Sequence, residues 1–155
     1  MISVVIICYN NAAFVAAAID SALKQDPAFD RIVIVDDCST DQTYEIAQGY
    51  LSKDDRIQLF QNSQNIGPGP ARNAGLTQVT SPYVCFLDGD DYFRDDASFQ
   101  MHSALEIHSD TDLFIFEGTA FETDGTQRRS AAVTLGVFSD LDGLCCTNRL
   151  MGFTV

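Results

Sequence analysis

Three short runs of almost purely apolar, mostly β-branched residues constrain this chain more than anything else in it. Residues 3–8 read Ser-Val-Val-Ile-Ile-Cys, residues 31–35 Arg-Ile-Val-Ile-Val and residues 82–87 Pro-Tyr-Val-Cys-Phe-Leu. Each is too short for a packed helix, and none alternates polar with apolar residues. Such a strand is buried on both faces, as happens in parallel sheets covered by helices. The intervening segments carry helical spacing. Phe14, Val15, Ala18, Ile19 and Leu23 recur on one face after Asn10, a candidate cap, until Asp26-Pro27 breaks the pattern. Ser39, Thr40 and Asp41 are cap types ahead of an apolar stripe of Tyr44, Ile46, Ala47, Tyr50 and Leu51. A short third strand is expected at residues 57–60. Pro70 suits the first turn of a helix running to about Val79, and Asp95 or Asp96 opens another to about His108. Residues 113–116 read as a fifth strand, and Thr123-Asp124-Gly125-Thr126 as a hairpin-like turn. The alternation predicts a three-layer α/β domain with a mostly parallel sheet.

Composition narrows the function. With 155 residues and 46% apolar content the chain suits one domain with a real core. Its formal net charge of −13 repels nucleic acid and anionic lipid, so nucleic-acid binding is set aside. The same field opposes a phosphate-bearing ligand, which then needs a cation as intermediary. Five cysteines (Cys8, Cys38, Cys85, Cys145 and Cys146) match no zinc spacing. Cys8 and Cys85 sit in apolar runs and read as buried thiols, which points to a reducing, cytoplasmic setting. No basic segment precedes the first apolar run, so it is not a signal peptide, and no stretch reaches the ~20 apolar residues of a membrane helix. Periodicity fades after Glu117, and the apolar end Met151-Gly152-Phe153-Thr154-Val155 reads as cut from a longer protein, with membrane association left to regions outside this chain.

In an open α/β sheet, ligands bind beyond the carboxyl ends of the strands. Three polar clusters follow strands here: Tyr9-Asn10, Asp36-Asp37 and Asp88-Gly89-Asp90-Asp91. Three carboxylates on four residues repel one another, and a divalent cation removes that penalty; oxygen-only ligands suit Mg²⁺ or Mn²⁺. A solvated acidic loop is the competing reading. Asp36-Asp37 reads alone as a pair of solvated turn residues, with one specific alternative. An ionised Asp37 accepts hydrogen bonds only, so it would take the N3–H of uracil or thymine. Tyr9 either lies against a flat base or closes a strand end, and Asn10 is a cap sooner than a ligand contact. The loop of residues 65–73 enters a helix with neither the P-loop nor the dinucleotide glycine spacing. Its Arg72 is the best basic candidate near the acidic cluster, to touch a nucleotide or to neutralise Asp residues. His102 and His108 are six apart on one helix and are not read as metal ligands. Phe86, Phe93, Phe114 and Phe116 read as core.

Taken in order, Val-Val-Ile-Ile-Cys-Tyr-Asn, Ile-Val-Ile-Val-Asp-Asp-Cys-Ser-Thr-Asp, Gly-Pro-Ala-Arg-Asn-Ala-Gly and Phe-Leu-Asp-Gly-Asp-Asp closely resemble the family 2 inverting glycosyltransferases of GT-A fold, over residues 2 to about 117. The resemblance implies a Rossmann-like nucleotide-diphospho-sugar transferase core at residues 1–117 and the start of an acceptor-side region at 118–155. It implies that Tyr9 flanks the base, Asp37 bonds its imide and Arg72 lies near the nucleotide. Asp88 and Asp90 would form the DxD motif that meets ribose and metal, with Asp91 a direct metal ligand. Mn²⁺ or Mg²⁺ is the implied cofactor. The implied partners are a nucleotide-sugar donor, UDP-linked by preference, and a saccharide or lipid-linked acceptor; a homodimer is permitted. Two positions depart from the pattern: Ile7 stands where many relatives have proline, and Cys38 where many have glycine.

The implied reaction moves the sugar to an acceptor hydroxyl with inversion, a base taking the hydroxyl proton while the metal stabilises the leaving diphosphate. The base is not assigned: Glu117, Asp124, Asp140 and Asp142 are available without a matching context. One alternative is a nucleotide-sugar-binding or interaction domain that lacks chemistry. Another is a phosphatase of the haloacid-dehalogenase type. That chemistry wants a lysine downstream of its Asp, and both lysines, Lys24 and Lys53, lie upstream of Asp88.

Overall fold

The computed structural model describes residues 1–108, Phe114 and two short strands beyond it. Strands β1 (Ile2–Cys8), β2 (Arg31–Asp36), β3 (Ile57–Gln61) and β4 (Tyr83–Asp88) form one sheet in the order β3-β2-β1-β4, and every neighbouring pair is parallel. Helices α1 (Val15–Leu23), α2 (Thr43–Gln48), α3 (Pro68–Leu76) and α4 (Ala97–Ile107) alternate with the strands. The expected strands form where the apolar runs lie, and β2 and β4 each run one residue further, so that Asp36 and Asp88 are themselves strand residues.

Every residue of β1 is buried, as its almost purely apolar run requires; its one hydroxyl, on Ser3, lies 2.8 Å from Ser81 Oγ. Its side chains divide between two cores. Ile2, Val4, Ile6 and Cys8 pack with Val15, Ala18 and Ile19 of α1, Ala47 of α2 and Met101 of α4. Val5 and Ile7 pack with Val33, Val35 and Ala71 of α3 on the opposite face. The sheet thus lies between two helical layers. Each fully buried Val or Ile contributes about 1.5–3 kcal/mol relative to exposure. Helix α3 approaches closely because residue 75 is glycine: an added Cβ would stand 2.4 Å from Val5 Cγ1 and 3.2 Å from Val35 Cγ2.

Several expectations need correction. Asn10 does not cap α1; its φ is +54°, and the helix starts after Phe14 with no side-chain cap. Phe14 sits outside the first turn and is 55% exposed, off the apolar face assigned to it. Leu51 lies beyond α2 and is exposed, because α2 stops at Gln48. Helix α3 runs Pro68–Leu76, so Pro70 lies in its first turn as expected, where no backbone N–H is needed, but the helix ends short of the expected Val79. Gly67 precedes it at φ +88°, a conformation that costs other residues strain.

Phe93 and Phe114 are buried as expected, while Phe86 is only partly so and Phe116 lies outside the described residues. His102 Nδ1 is 2.9 Å from the Ser98 carbonyl, a contact within α4. The strand expected at 113–116 falls outside the described residues save Phe114, which is in no regular element. The strands either side of the expected turn, β5 (Ala120–Phe121) and β6 (Gln127–Arg128), pair antiparallel, and the turn itself lies outside the described residues. No helix among the described residues is long and apolar enough to cross a membrane.

Candidate functional site

The strand order fixes where a ligand can sit. From β1 the chain moves outward to β2 and β3, then returns across β1 to place β4 on its other side. Connections therefore diverge between β1 and β4, and the crevice at such a switch point is where open α/β sheets bind ligands. Register brings the strand tips level: Cys8 pairs with Asp36 and Ile7 with Asp88. A cleft of about 240 Å³ opens there, lined among others by Tyr9, Asn11, Asp37, Gly67, Asp88, Gly89 and Asp90. Asp37 thus faces the same cleft as Asp88 and Asp90. The volume falls below the ~300–1,000 Å³ of sites that enclose a whole small molecule, so this cleft is sized for part of a ligand.

Asp36 and Asp37 are not the solvated turn residues their setting in the sequence allows. Their exposures are 0% and 4%. Asp36 Oδ2 accepts from Ser39 N at 3.1 Å and from Gln61 Nε2 at 2.9 Å, so it shapes the turn after β2. Asp37 is held to the β1 tip, its N–H donating to the Cys8 carbonyl at 2.8 Å. Its carboxylate accepts from Asn62 Nδ2 (2.8 Å), from Ile66 N (3.1 and 3.2 Å to the two oxygens) and from Gly67 N (2.8 Å). One carboxylate therefore anchors the entry to α3 and lines the cleft. Burial, followed by the Asp36 charge, pushes the Cys8 thiol up to about 12, so Cys8 is an inert core thiol.

The loops after β1 and β2 brace each other. Asn10 N donates to Ser39 Oγ at 3.0 Å, and Asn10 Oδ1 accepts from Thr40 N at 2.8 Å. Asn11 N donates to Thr43 Oγ1, and Asn11 Oδ1 accepts from Tyr9 N, each at 2.8 Å. Tyr9 remains 44% exposed at the cleft. Cys38 stands in the left-handed region at φ +62°, which explains why glycine suits this position. Cys38→Gly is expected to raise stability by about 0.5–1 kcal/mol, the strain relieved less the added chain entropy of glycine. A chemical-denaturation midpoint that stays level or falls would count against that account.

In the acidic loop, Gly89 N donates to the Ile7 carbonyl at 2.7 Å and Asp91 N to the Asp88 carbonyl at 3.0 Å, folding a turn against the β1 tip. A Cβ on Gly89 would lie 2.7 Å from Cys8 Cβ and 3.0 Å from both Asn11 Oδ1 and the Ile7 carbonyl oxygen. Arg72 reaches from α3 and donates through Nη2 to Asp88 Oδ1 at 2.6 Å. Arg72 is thus joined to the first carboxylate of the cluster. Desolvation by the neighbouring chain raises the Asp91 carboxyl above its ordinary range even though the residue keeps an exposed surface, and the charges of Asp90 and Asp88 add to this. Among the described residues no three His, Cys, Asp or Glu side chains converge as a closed metal cage. An Mg²⁺- or Mn²⁺-type ion shared with phosphates needs only one or two protein carboxylates, however. The all-oxygen donor set and the mutual repulsion around Asp91 fit such an ion.

Two residues of this arrangement, Asn11 and Asn62, escape a reading of the motifs. Asn62 directly follows β3, so the rule that selects polar residues at strand tips would have found it.

The glycosyl transferase family 2 model matches residues 3–141. The chain belongs to this family. It is 36% identical over 109 residues to a glycosyltransferase of Haemophilus influenzae whose substrate is not assigned, covering 70% of this chain and 44% of that one. It is 34% identical over 119 residues to TarS of Staphylococcus aureus, a poly(ribitol-phosphate) β-N-acetylglucosaminyltransferase, covering 75% of this chain and 21% of that one. The crystal structure of TarS residues 1–349 in complex with UDP-GlcNAc superposes with a TM-score of 0.63 at 34% identity, over 70% of this chain and 32% of the other. The mannosyltransferase PcManGT of Pyrobaculum calidifontis, at 18% identity and a TM-score of 0.67 over 89% of this chain and 44% of its own, shares the fold. The fold is GT-A. The chain spans less than half the length of these relatives. Family membership leaves the dehalogenase-type phosphatase reading without support.

Proposed function

We propose that this chain forms the donor side of a family 2 glycosyltransferase that moves a sugar from a UDP-sugar to an acceptor hydroxyl with inversion, assisted by Mn²⁺ or Mg²⁺. The observation that carries the reading is the single cleft at the switch point lined by Asp37, Asp88 and Asp90. The UDP-GlcNAc and UDP complexes of TarS, at 34% identity, favour uridine as the donor base. Asp37 accepts the imide N–H of the base, and Tyr9 lies against its face. Asp88, held by Arg72, meets the ribose. Asp90 and Asp91 hold the cation, which supplies neutralisation of the charge on the leaving diphosphate. These carboxylates are committed to the donor, so the base that takes the acceptor's proton comes from outside the cleft; Glu117, Asp124, Asp140 and Asp142 are the candidates in this chain.

Calorimetric titration of the 155-residue chain with UDP, with and without Mn²⁺, tests the reading. Mn²⁺ is expected to tighten binding by about tenfold or more, because it cancels repulsion between diphosphate and carboxylates. Asp91→Ala is expected to abolish that enhancement while the far-UV circular dichroism stays unchanged. Absence of UDP binding at millimolar ligand would instead mark a degenerate domain.

A further inference from the structure

Asp37 has few acceptor positions left to offer, and their number discriminates among bases. An ionised carboxylate presents about four lone-pair positions. Here four contacts occupy them: Asn62 Nδ2 and Ile66 N on Oδ1, Ile66 N and Gly67 N on Oδ2. Three donors make these contacts, because the Ile66 N–H is shared between the two oxygens. When that N–H settles on one oxygen, a single position opens. The two backbone donors are fixed by the entry to α3, whose cap is Gly67. Asn62 is the one side chain among the three, and its own N–H donates to the Asp36 carbonyl at 2.9 Å, which holds it beside Asp37.

We propose that Asn62 is a specificity-determining residue: by occupying an acceptor position on Asp37 Oδ1, it leaves room for a base with one N–H on its pairing edge and excludes guanine. Uracil and thymine present the N3–H alone. Guanine presents N1–H and the N2 amino group side by side, a pair that an unencumbered carboxylate takes with both oxygens. With Asn62 in place the second guanine donor stays buried without a partner, a costly state. This inference rests on the nucleotide reading above and adds to it the residue that sets the base.

Hypoxanthine separates donor number from ring size, since it keeps the purine frame and the N1–H but lacks the amino group. The affinities of UDP, IDP and GDP for the 155-residue chain are measured with Mn²⁺, then repeated on Asn62→Leu. UDP is expected to bind most tightly, and IDP to bind about tenfold or more better than GDP, the scale of one unpaired buried donor. In Asn62→Leu the gap between IDP and GDP is expected to close to within about twofold, since removing one donor frees one position. Asn62→Ala serves if the leucine variant melts early. GDP binding as tightly as IDP to the unaltered chain, or a gap that survives in a folded Asn62 variant, overturns the proposal. UDP binding with no measurable IDP binding also overturns it, in favour of selection by ring size. If none of the three diphosphates binds, the donor reading itself fails.

Discussion

Asp37→Asn is expected to weaken UDP binding by about 1–3 kcal/mol, roughly 5- to 150-fold, and to destabilise the fold as well. The carboxylate receives Asn62 Nδ2 and Ile66 N on one oxygen and Ile66 N and Gly67 N on the other. An amide must turn its NH₂ group toward one of those pairs. Either orientation sets donor against donor and leaves at least one N–H in a nearly dry site unsatisfied. The remaining bonds lose the assistance of charge. Because the same carboxylate fixes the entry to α3, the cleft wall loosens together with the base contact. Titration calorimetry with UDP and a thermal melt report the two losses separately. Unchanged affinity in the folded variant would remove Asp37 from the site. A melt unchanged to within a degree would deny its role as the loop anchor.

Gly89→Ala is the second large effect. The added methyl would stand 2.7 Å from Cys8 Cβ and 3.0 Å from the Ile7 carbonyl oxygen, closer than such atoms pack. Neither neighbour can yield readily. Cys8 is buried at the end of β1, and the Ile7 carbonyl holds the Gly89 N–H at 2.7 Å. The acidic turn is therefore the part that moves, carrying Asp90 away from the cleft and Asp91 with it out of position beside Asp90. Overpacking of this kind costs about 1–3 kcal/mol of stability. A displacement near 1 Å at a site of positioned charges costs on the order of a hundredfold in function. UDP affinity with Mn²⁺ should fall by most of the roughly tenfold or greater enhancement the ion gives, while UDP affinity without metal changes little. Equal loss with and without Mn²⁺ would show that the turn serves the nucleotide rather than the ion.

Much of this was legible in the chain. The three double-faced apolar runs dictated a parallel sheet with helices on both sides, and β1, β2 and β4 formed at those runs. Helix boundaries were less legible. Pro70 marks the first turn of α3 from the sequence alone, yet the helix stops at Leu76, short of the Val79 to which the sequence extends it. Phe14 and Leu51 matched a helical spacing, yet the helices they were assigned to began later and ended earlier. Periodicity counts residues without seeing where the turns fall.

By itself, the sequence determined the fold class and the carboxylates that crowd the strand tips, because apolar runs and charge density are local properties of the chain. Only the tertiary structure decided which of those carboxylates share a cleft and which are spent on the fold. Asp36 and Asp37 are adjacent in the chain, yet the first is consumed by the turn after its own strand and the second lines the cleft with Asp88 and Asp90. The same holds for Asn62 and Arg72, which meet Asp37 and Asp88 across 25 and 16 residues of chain. A hydrogen bond forms where acceptor and donor meet in space, and that meeting is fixed by strand order and register rather than by the identity of either residue.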